Sequence, residues 1–446
     1  MALFGTESLN PGVKRREVFG WAMYDFANSG YTTVVLTAVF NTYFVGVVAG
    51  NASWATFAWT LALSLSSALV MLTMPALGAY ADLHAAKKRL LVLSTLGCVV
   101  ATAALSLAGP GDLWLAVAAI VISNLCYAYG DALIAAFLPE LARREALGRV
   151  SGWGWSFGYF GGMLTLGLSL GYVIWAQGQG IPATRFVPVT MLITSAVYAF
   201  ASLATFALLK ERAVPQALPA TQAATQAGAA AAPAARGGFG ASFARLRRTW
   251  REAQRYGDFM WLMATAVAYQ AGIAVVIALA AVYAEQVLGF KQTQTMMLVF
   301  LVNIASAVGA FAFGYWQDRI GHRPALAVTL WGWIIMTVLA YLAQTATLFW
   351  VAAVFAGLCM GSSQSAGRAL AALFAPERQR AEFFGLWAFA TRLSSIVGPL
   401  TYGVVTLLTA GNHRLAILST GVFFVLGLVL LRHVNVERGA RAASAV

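Results

Sequence analysis

The sequence predicts an all-α membrane protein with twelve transmembrane helices in two pseudo-symmetric six-helix bundles. Composition, long apolar runs and an internal repeat lead to this prediction. Of the 446 residues, 60% are hydrophobic and only 10% are charged, whereas a soluble domain carries about 25% charged residues. Such a chain cannot cover a surface that faces water, but its surface suits contact with lipid.

Long uncharged runs divide the chain into twelve predicted spans. Leu90–Ala108, Val187–Leu209 and Leu415–Leu431 each have about the length needed to cross a hydrocarbon core of roughly 30 Å. A spanning segment must satisfy its own backbone polar groups, so these runs are helices. The predicted spans are approximately 18–48, 54–80, 90–108, 113–137, 151–175, 187–209, 258–287, 293–316, 325–344, 347–372, 383–409 and 413–432.

Two pairs of similar segments indicate that one unit is used twice. Gly130–Glu140 (GDALIAAFLPE) is similar to Gly367–Glu377 (GRALAALFAPE), and Gly78–Arg89 is similar to Gly314–Pro324. The two separations, 237 and 236 residues, are almost equal. A duplicated hydrophobic unit predicts two halves that move against each other.

A long loop separates the two sets of six spans. We predict an N-terminal bundle at 1–209, a linker at 210–256 and a C-terminal bundle at 257–446. The segment Ala217–Ala235 is rich in Ala, Gln, Thr and Pro, which is typical of a flexible linker. Phe243, Leu246 and Trp250 then share one helical face among arginines, which favours an amphipathic helix on the anionic leaflet over a solvated basic loop.

The net charge of +13 is explained by membrane topology. When the loops are assigned alternately to the two sides, 24 of the 29 Lys and Arg residues fall on the side of the termini. This positive-inside pattern predicts a multi-pass protein of the cell (inner) membrane with both termini in the cytoplasm. No single face combines the charge with aromatic side chains, so we expect no nucleic acid as a partner.

Residues typical of cofactor or metal chemistry are scarce. Cys98, Cys126 and Cys359 lie within predicted spans and lack disulfide or metal-ligand spacing. The sequence contains no phosphate-binding Gly-Lys-Ser/Thr loop, which argues against ATP as the driving force. We expect no catalytic residue, no metal and no cofactor. The expected partners are a small-molecule solute, a proton or other coupling ion, and the lipid bilayer, with the protein acting as a monomer.

The loop after the eighth span carries the most specific local motif. It reads GYWQDRIGHR from Gly314 to Arg323 and resembles the signature loop of the major facilitator superfamily. The corresponding loop after the second span begins at Gly78 and contains Asp82. It departs from the signature at Leu83, where the pattern has a basic residue.

The two loops have the properties of a gate. Gly78 and Gly314 allow close helix packing, and an aspartate at a helix end can cap a neighbouring N-terminus and pair with Arg. The resemblance implies that such contacts close the cytoplasmic side in the outward-open state. Tight turns with topology-setting cations are the alternative. The predicted gating residues are Gly78, Asp82, Glu140, Gly314, Asp318, Arg319, Arg323 and Arg392.

Further motifs resemble the vacuolar-effluxer-like branch of this superfamily. They are WAMYDFANS from Trp21, FLPE from Phe137, GRVSGWG from Gly148, GSSQS from Gly361 and AEFFGL from Ala381. The resemblance covers almost the whole chain except the central loop. It implies the major facilitator fold, in which spans 1, 4, 7 and 10 line a central cavity. The eukaryotic members are described as exporters of amino acids from the vacuole, but the resemblance leaves the solute of this chain open.

Four charged residues lie inside predicted spans: Asp25, Asp131, Arg368 and Arg392. Intramembrane charges are costly and usually face the bundle interior or a water-filled path. Asp131 and Arg368 occupy matched positions of the repeat. We expect Arg368 to hold a substrate anion, and Asp25 or Asp131 to bind an amine or a coupling proton. A structural Asp131–Arg368 ion pair that locks the halves is the alternative, and Arg392 could equally be a gate partner of Asp82 or Glu140.

Polar residues extend along the helix faces that carry these charges. Asn124, Tyr127 and Asp131 have the i, i+3, i+7 spacing of one helical face, and Asp25, Asn28 and Thr32 repeat it. Trp153, Trp155 and Tyr159 are expected to pack rather than to recognise a solute. The predicted substrate-binding or proton-coupling residues are Asp25, Asn28, Asn124, Tyr127, Asp131, Tyr269, Gln270, Gln364 and Arg368.

The sequence therefore predicts a secondary active transporter that works by alternating access. The expected solute is small and polar or zwitterionic, an amino acid among the candidates, and the expected coupling is to protons. An exporter of drugs or other organic solutes with the same fold is the alternative. A membrane-embedded enzyme or a channel would be a different class of protein, and the spans contain no His cluster and no Ser/His/Asp arrangement that would favour an enzyme.

Overall fold

The computed structural model describes residues 5–50, 52, 54–213, 255–290, 292–410 and 412–444. Within these ranges the chain is almost entirely helical, and twelve helices are long and apolar enough to cross a membrane. The predicted number of spans is thus confirmed. The linker segment Ala217–Ala235 and the predicted amphipathic helix around Phe243 and Trp250 lie outside the described residues.

The spanning helices α1–α12 follow each other along the chain, and a short helix, α13, comes after them. Their bounds are α1 Arg15–Val48, α2 Ala55–Leu83, α3 Lys87–Ala104, α4 Leu113–Ala135, α5 Leu147–Gly178, α6 Ala183–Leu208, α7 Gly257–Leu288, α8 Gln292–Ile320, α9 His322–Leu342, α10 Ala346–Phe374, α11 Arg380–Leu408, α12 His413–Leu431 and α13 Val436–Ser444. Helices α1–α6 form the N-terminal half, and α7–α13 form the C-terminal half. The halves meet mainly through α2 against α11 and α5 against α8, which are equivalent pairs under the internal symmetry.

Helix α1 changes its helical type along its length. Arg15–Gly30 is α-helical, but Tyr31–Ala38 and Phe44–Val48 are π-helical. The amide of Val39 accordingly donates to the carbonyl of Val34, five residues earlier, at 2.9 Å. The predicted common face of Asp25, Asn28 and Thr32 assumed 3.6 residues per turn along the whole of α1. This spacing holds only as far as Gly30, so the face ends there. Long π segments are rare and often occur at functional sites.

Both described ends of the chain lie at one end of the helix bundle. Leu9 forms an antiparallel bridge with Ala142, in the loop between α4 and α5. Arg144 in the same loop donates to the carbonyl of Ala440 in α13 at 2.7 Å. We call this end the basic face; it also contains the loops that join α2 to α3, α8 to α9 and α10 to α11.

Gly161 marks a close approach of α5 to α1. A Cβ at this position would collide with the backbone carbonyl of Phe26, which cannot move aside. Gly167 lies on the same helix, and no atom comes within 4 Å of its Cβ position.

We expect Gly161→Ala to lower the thermal-unfolding midpoint of the purified protein in detergent, because overpacking costs about 1–3 kcal/mol. Gly167→Ala is the matched control, and it should leave the midpoint unchanged or raise it slightly, since alanine favours helix. Equal shifts in the two variants would contradict the packing argument.

Candidate functional site

Arg368 on α10 reaches into the N-terminal half and makes three hydrogen bonds there. Its Nη1 donates to Oδ2 of Asp25 at 2.6 Å. Its Nε and Nη2 donate to Oγ and the carbonyl of Ser151 at 3.1 and 2.8 Å. The rings of Trp21 and Trp155 flank the guanidinium, with centroids at 4.8 and 5.2 Å. We call these five residues the inter-half latch.

The latch is buried between the two halves. Asp25 and Arg368 are each 5% exposed. Ser151 lies four residues after the start of α5, and Arg368 lies six residues before the end of α10. The hydroxyl of Ser151 donates to the carbonyl of Ser365 on α10 at 2.9 Å and is thereby oriented to accept from Arg368.

The aspartate that pairs with Arg368 is therefore Asp25, and the Asp131–Arg368 pair considered from the sequence does not form. Matched positions in two symmetric halves need not touch each other. Helix α10 packs against α5, and α5 packs against α1. The side chain of Arg368 follows this route past Ser151 to Asp25.

Asp131 on α4 and Arg392 on α11 lie near the latch. The charged neighbours of Asp131 are Asp25, Arg392 and Arg368. The guanidinium of Arg392 lies 5.8 Å from the ring centroid of Tyr127 on α4. Arg392 on α11 is thus close to the α4 charge and does not reach the gate carboxylates that the sequence left open as its partners.

Two predicted site residues point into their own halves. The amide nitrogen of Asn124 donates to Oγ of Ser66 on α2 at 2.9 Å. The side chain of Tyr269 is fully buried, and its hydroxyl lies against Gly367 of α10. Helical spacing placed Asn124 on the face of α4 that carries Asp131, but that face is wide enough to include the packing between helices of one half.

Gln270 and Gln364 form a reciprocal amide pair between α7 and α10. Nε2 of Gln270 donates to Oε1 of Gln364 at 2.7 Å, and the reverse bond measures 3.2 Å. Gln364 lies one turn from Arg368 on the same face of α10. The pair thus adds neutral polar groups next to the latch on the side of the C-terminal half.

Asp318, at the end of α8, caps the N-terminus of α5. Its Oδ1 accepts from the backbone N–H of Gly148 at 2.9 Å. Its Oδ2 accepts from the backbone N–H and from Nε of Arg149 at 3.2 and 2.8 Å. The carboxylate side chain is 1% exposed. The helix dipole and the guanidinium both favour a negative charge at this position.

Asp82 makes the symmetry-equivalent contact in the other half. It lies at the end of α2, and its Oδ2 accepts from the backbone N–H of Glu382, in the first turn of α11, at 3.0 Å. Gly78 allows the approach, since a Cβ there would collide with the carbonyl of Ala381. The capping geometry predicted for the two loops is present, and their role as a gate stays a prediction.

The arginine that pairs with Asp318 is Arg149 of α5, and it does not come from the motif of Asp318 itself. Arg319 is exposed on the basic face. Arg323 donates to the carbonyl of Arg432, at the end of α12, at 3.2 Å. The cations of this loop therefore face away from the contact between the halves.

Glu140 belongs to a second ionic cluster on the basic face. It forms an ion pair with Lys87, and Nη1 of Arg380 lies 4.0 Å from the same carboxylate oxygen. Glu211 accepts from the backbone N–H groups of Lys87 and Lys88 at 2.7 and 3.1 Å, which caps α3. Burial raises the pKa of Glu211, although these hydrogen bonds oppose the shift. The cluster connects the start of α3, the segment after α4 and the start of α11.

The sequence-based prediction did not include three residues of the latch, Trp21, Ser151 and Trp155. Ser151 lies in the motif that starts at Gly148, Trp155 follows that motif directly, and Trp21 opens the motif of α1. Trp155 was expected only to pack, and it does pack, but against a guanidinium. The available signal was the concentration of Trp and Ser around the first turns of α5, opposite an intramembrane arginine.

The arrangement suits reversible conformational change. In the part of the chain that the structure describes, no three His, Cys, Asp or Glu side chains converge as a metal site would require. The charged groups instead connect the two halves, where ion pairs and caps can break and form again.

Comparison with known proteins gives the family relationship. A model of the family described as vacuole effluxer Atg22 like matches residues 41–149 and 145–444. An uncharacterized MFS-type transporter of Bacillus subtilis, YxiO, is 25% identical over 425 residues, which cover 94% of both chains. Autophagy-related protein 22 of Candida glabrata is 29% identical over 178 residues, 37% of this chain and 33% of that protein.

Solved structures show the same fold. The human organic anion transporter MFSD10 (TETRAN) superposes with a TM-score of 0.68 at 16% identity, covering 94% of this chain and 99% of that one. The proton:xylose symporter XylE gives a TM-score of 0.69 at 14% identity and covers 94% of each chain. The major facilitator fold predicted from the sequence is confirmed.

Proposed function

The chain belongs to the vacuole effluxer Atg22-like family, and on that premise we propose that it is a secondary active transporter working by alternating access. The relatives and structural neighbours named above are transporters and not enzymes. We propose a small polar or zwitterionic solute, with amino acids among the candidates, and coupling to protons. The 24 basic residues on the side of the termini support a cell-membrane location with the basic face in the cytoplasm.

The one-sided contact between the halves carries this proposal. Among the described residues, the hydrogen bonds between the halves run from the level of the latch to the basic face. Asp82 and Asp318 lie at the outer end of this zone, and Asp25 with Arg368 lies at the inner end. Halves joined at one end by matched contacts can rock about a central site, as alternating access requires.

The latch offers a route from protonation to movement. A proton on Asp25 would neutralise the carboxylate that holds Arg368, which weakens a bond between the halves. Taking a two-state equilibrium from 1:99 to 99:1 needs about 5.5 kcal/mol of differential binding. Protonation of Asp25 and binding of a solute together supply a difference of that order, since buried charge-assisted bonds contribute about 1.5–3 kcal/mol each.

Counterflow in proteoliposomes tests the transport proposal. We expect liposomes loaded with one unlabelled amino acid or organic acid to accumulate the same labelled solute transiently and with saturation. Empty liposomes are the control. An ohmic current in planar bilayers without counterflow would instead indicate a channel and contradict the proposal.

Proton coupling is tested separately with the solute that shows counterflow. We expect uptake at fixed external pH to fall several-fold when an ionophore collapses the pH gradient. Counterflow, which needs no gradient, should persist under the same conditions. Uptake that ignores the gradient would exclude proton coupling and leave the transporter assignment intact.

A further inference from the structure

Arg368 was the cation expected to hold a substrate anion, but its donors are already engaged. All three nitrogens of its guanidinium donate to Asp25 or Ser151. Tryptophan rings flank its faces at 4.8 and 5.2 Å. A solute anion at Arg368 would first have to break a buried ion pair, so a second cation is better placed for recognition.

Arg392 is such a cation. Arg392 is partly exposed. Among the described residues, no carboxylate lies within 4.0 Å of its guanidinium, which is the distance limit for an ion pair. Its guanidinium lies over the ring of Tyr127, which stacks on Tyr31 at 5.3 Å. The hydroxyls of Tyr31 and Ser123 are 2.8 Å apart, which fixes this aromatic wall. A guanidinium held by its face keeps its N–H edge available for a carboxylate.

Asp131 and Asn28 complete the arrangement from the N-terminal half. Asp131 is partly exposed and likewise forms no ion pair within 4.0 Å in the described ranges, although Arg392 is among its charged neighbours. Asn28 is 4% exposed, and its Nδ2 makes no hydrogen bond of 3.5 Å or less, although it interacts with the Asp131 carboxylate at longer range. A buried N–H donor with so loose a contact can shift to a bound ligand that accepts from it.

We propose that Asn28, Tyr127, Asp131 and Arg392 form the solute site, and that a small zwitterion bridges Asp131 and Arg392. The inference rests on the proposed transport function and assigns the chemistry within it. Arg392 binds the carboxylate, Asp131 binds the amine, and Asn28 donates to the solute. Asp131 belongs to α4 and Arg392 to α11, so the bound solute pulls the two halves together.

Equilibrium binding to the purified, full-length protein tests the assignment. The probes are the twenty common amino acids, followed by the deaminated acid and the decarboxylated amine that correspond to the tightest binder. We expect the zwitterion to bind more tightly than either analogue. Arg392→Gln should weaken zwitterion binding roughly 10- to 100-fold and abolish the preference over the amine. Asp131→Asn should weaken it similarly and abolish the preference over the acid.

Control variants separate recognition from folding. Arg392→Lys keeps the cation and should bind more weakly while retaining the preference for a carboxylate. Arg414→Gln removes an arginine of α12 that donates to the carbonyl of Tyr341 at 2.9 Å, and it should bind like the wild type. Gel filtration and thermal unfolding show whether each variant is folded.

Two outcomes would overturn the assignment. Zwitterion binding that survives both Arg392→Gln and Asp131→Asn would place the solute elsewhere. The absence of binding by every zwitterion would reject the ligand class. In either case, counterflow with another solute would still support the transporter function. The absence of counterflow with every solute would contradict that function.

Discussion

Asp25→Asn is expected to destabilise the protein strongly. The variant leaves the guanidinium of Arg368 buried between Trp21 and Trp155 without its carboxylate. Removing one partner of a buried ion pair costs about 3–5 kcal/mol, because the remaining charge has lost its compensation. Chemical denaturation in detergent, with thermal unfolding as a second measurement, should show this loss together with the loss of gradient-driven uptake.

The double variant Asp25→Asn with Arg368→Gln provides the thermodynamic control. It removes both charges, so we expect it to be more stable than the sum of the single variants implies, by about 1–3 kcal/mol. Glu377→Gln is a matched control at an exposed pair, where the glutamate side chain is 84% exposed and lies 3.9 Å from Arg380. That change should cost less than about 0.5 kcal/mol. Equal costs for Asp25→Asn and Glu377→Gln would show that the latch does not stabilise the fold.

The fold could be predicted because its signals are local or repeated. Twelve apolar runs set the number of helices, since lipid requires each span to satisfy its own backbone. The near copies at Gly130 and Gly367 indicated two halves. The position of their loops between spans predicted that Asp82 and Asp318 cap the N-termini of neighbouring helices. Both do so.

The partners within the site could not be predicted because they depend on how the helices pack. Helical spacing defines a face to within about 100°, which includes both the interface between the halves and the packing inside one half. Asn124 and Tyr269 accordingly face inward, towards their own halves. The π-helical start at Tyr31 leaves no trace in the hydrophobic pattern, so the predicted face of α1 ran too far.

Asp318→Asn is expected to open the basic face. The carboxylate accepts two backbone N–H groups of α5 and the Nε of Arg149. Asparagine keeps only one acceptor oxygen. Its NH₂ group would take the place of the other oxygen and would face one of these N–H donors. Hydrogen bonds to charged groups contribute about 1.5–3 kcal/mol each, so losing one of them shifts the closed-to-open equilibrium by roughly ten- to a hundredfold. Spin labels at the exposed positions His84 and Pro324, on opposite halves, should report a population with longer distances.

Asp82→Asn in the same spin-labelled background is the matched comparison, because internal symmetry makes the two carboxylates equivalent. In the described part of the chain, Asp82 accepts from the backbone N–H of Glu382 and forms no salt bridge comparable to that of Asp318 with Arg149. Its loss should therefore open the basic face less than the loss of Asp318. Arg149→Gln should remove most of this difference, since it leaves both aspartates with backbone caps alone. If the two aspartate variants opened the face equally, the charge of Arg149 would not contribute to closure, and the caps alone would hold the gate.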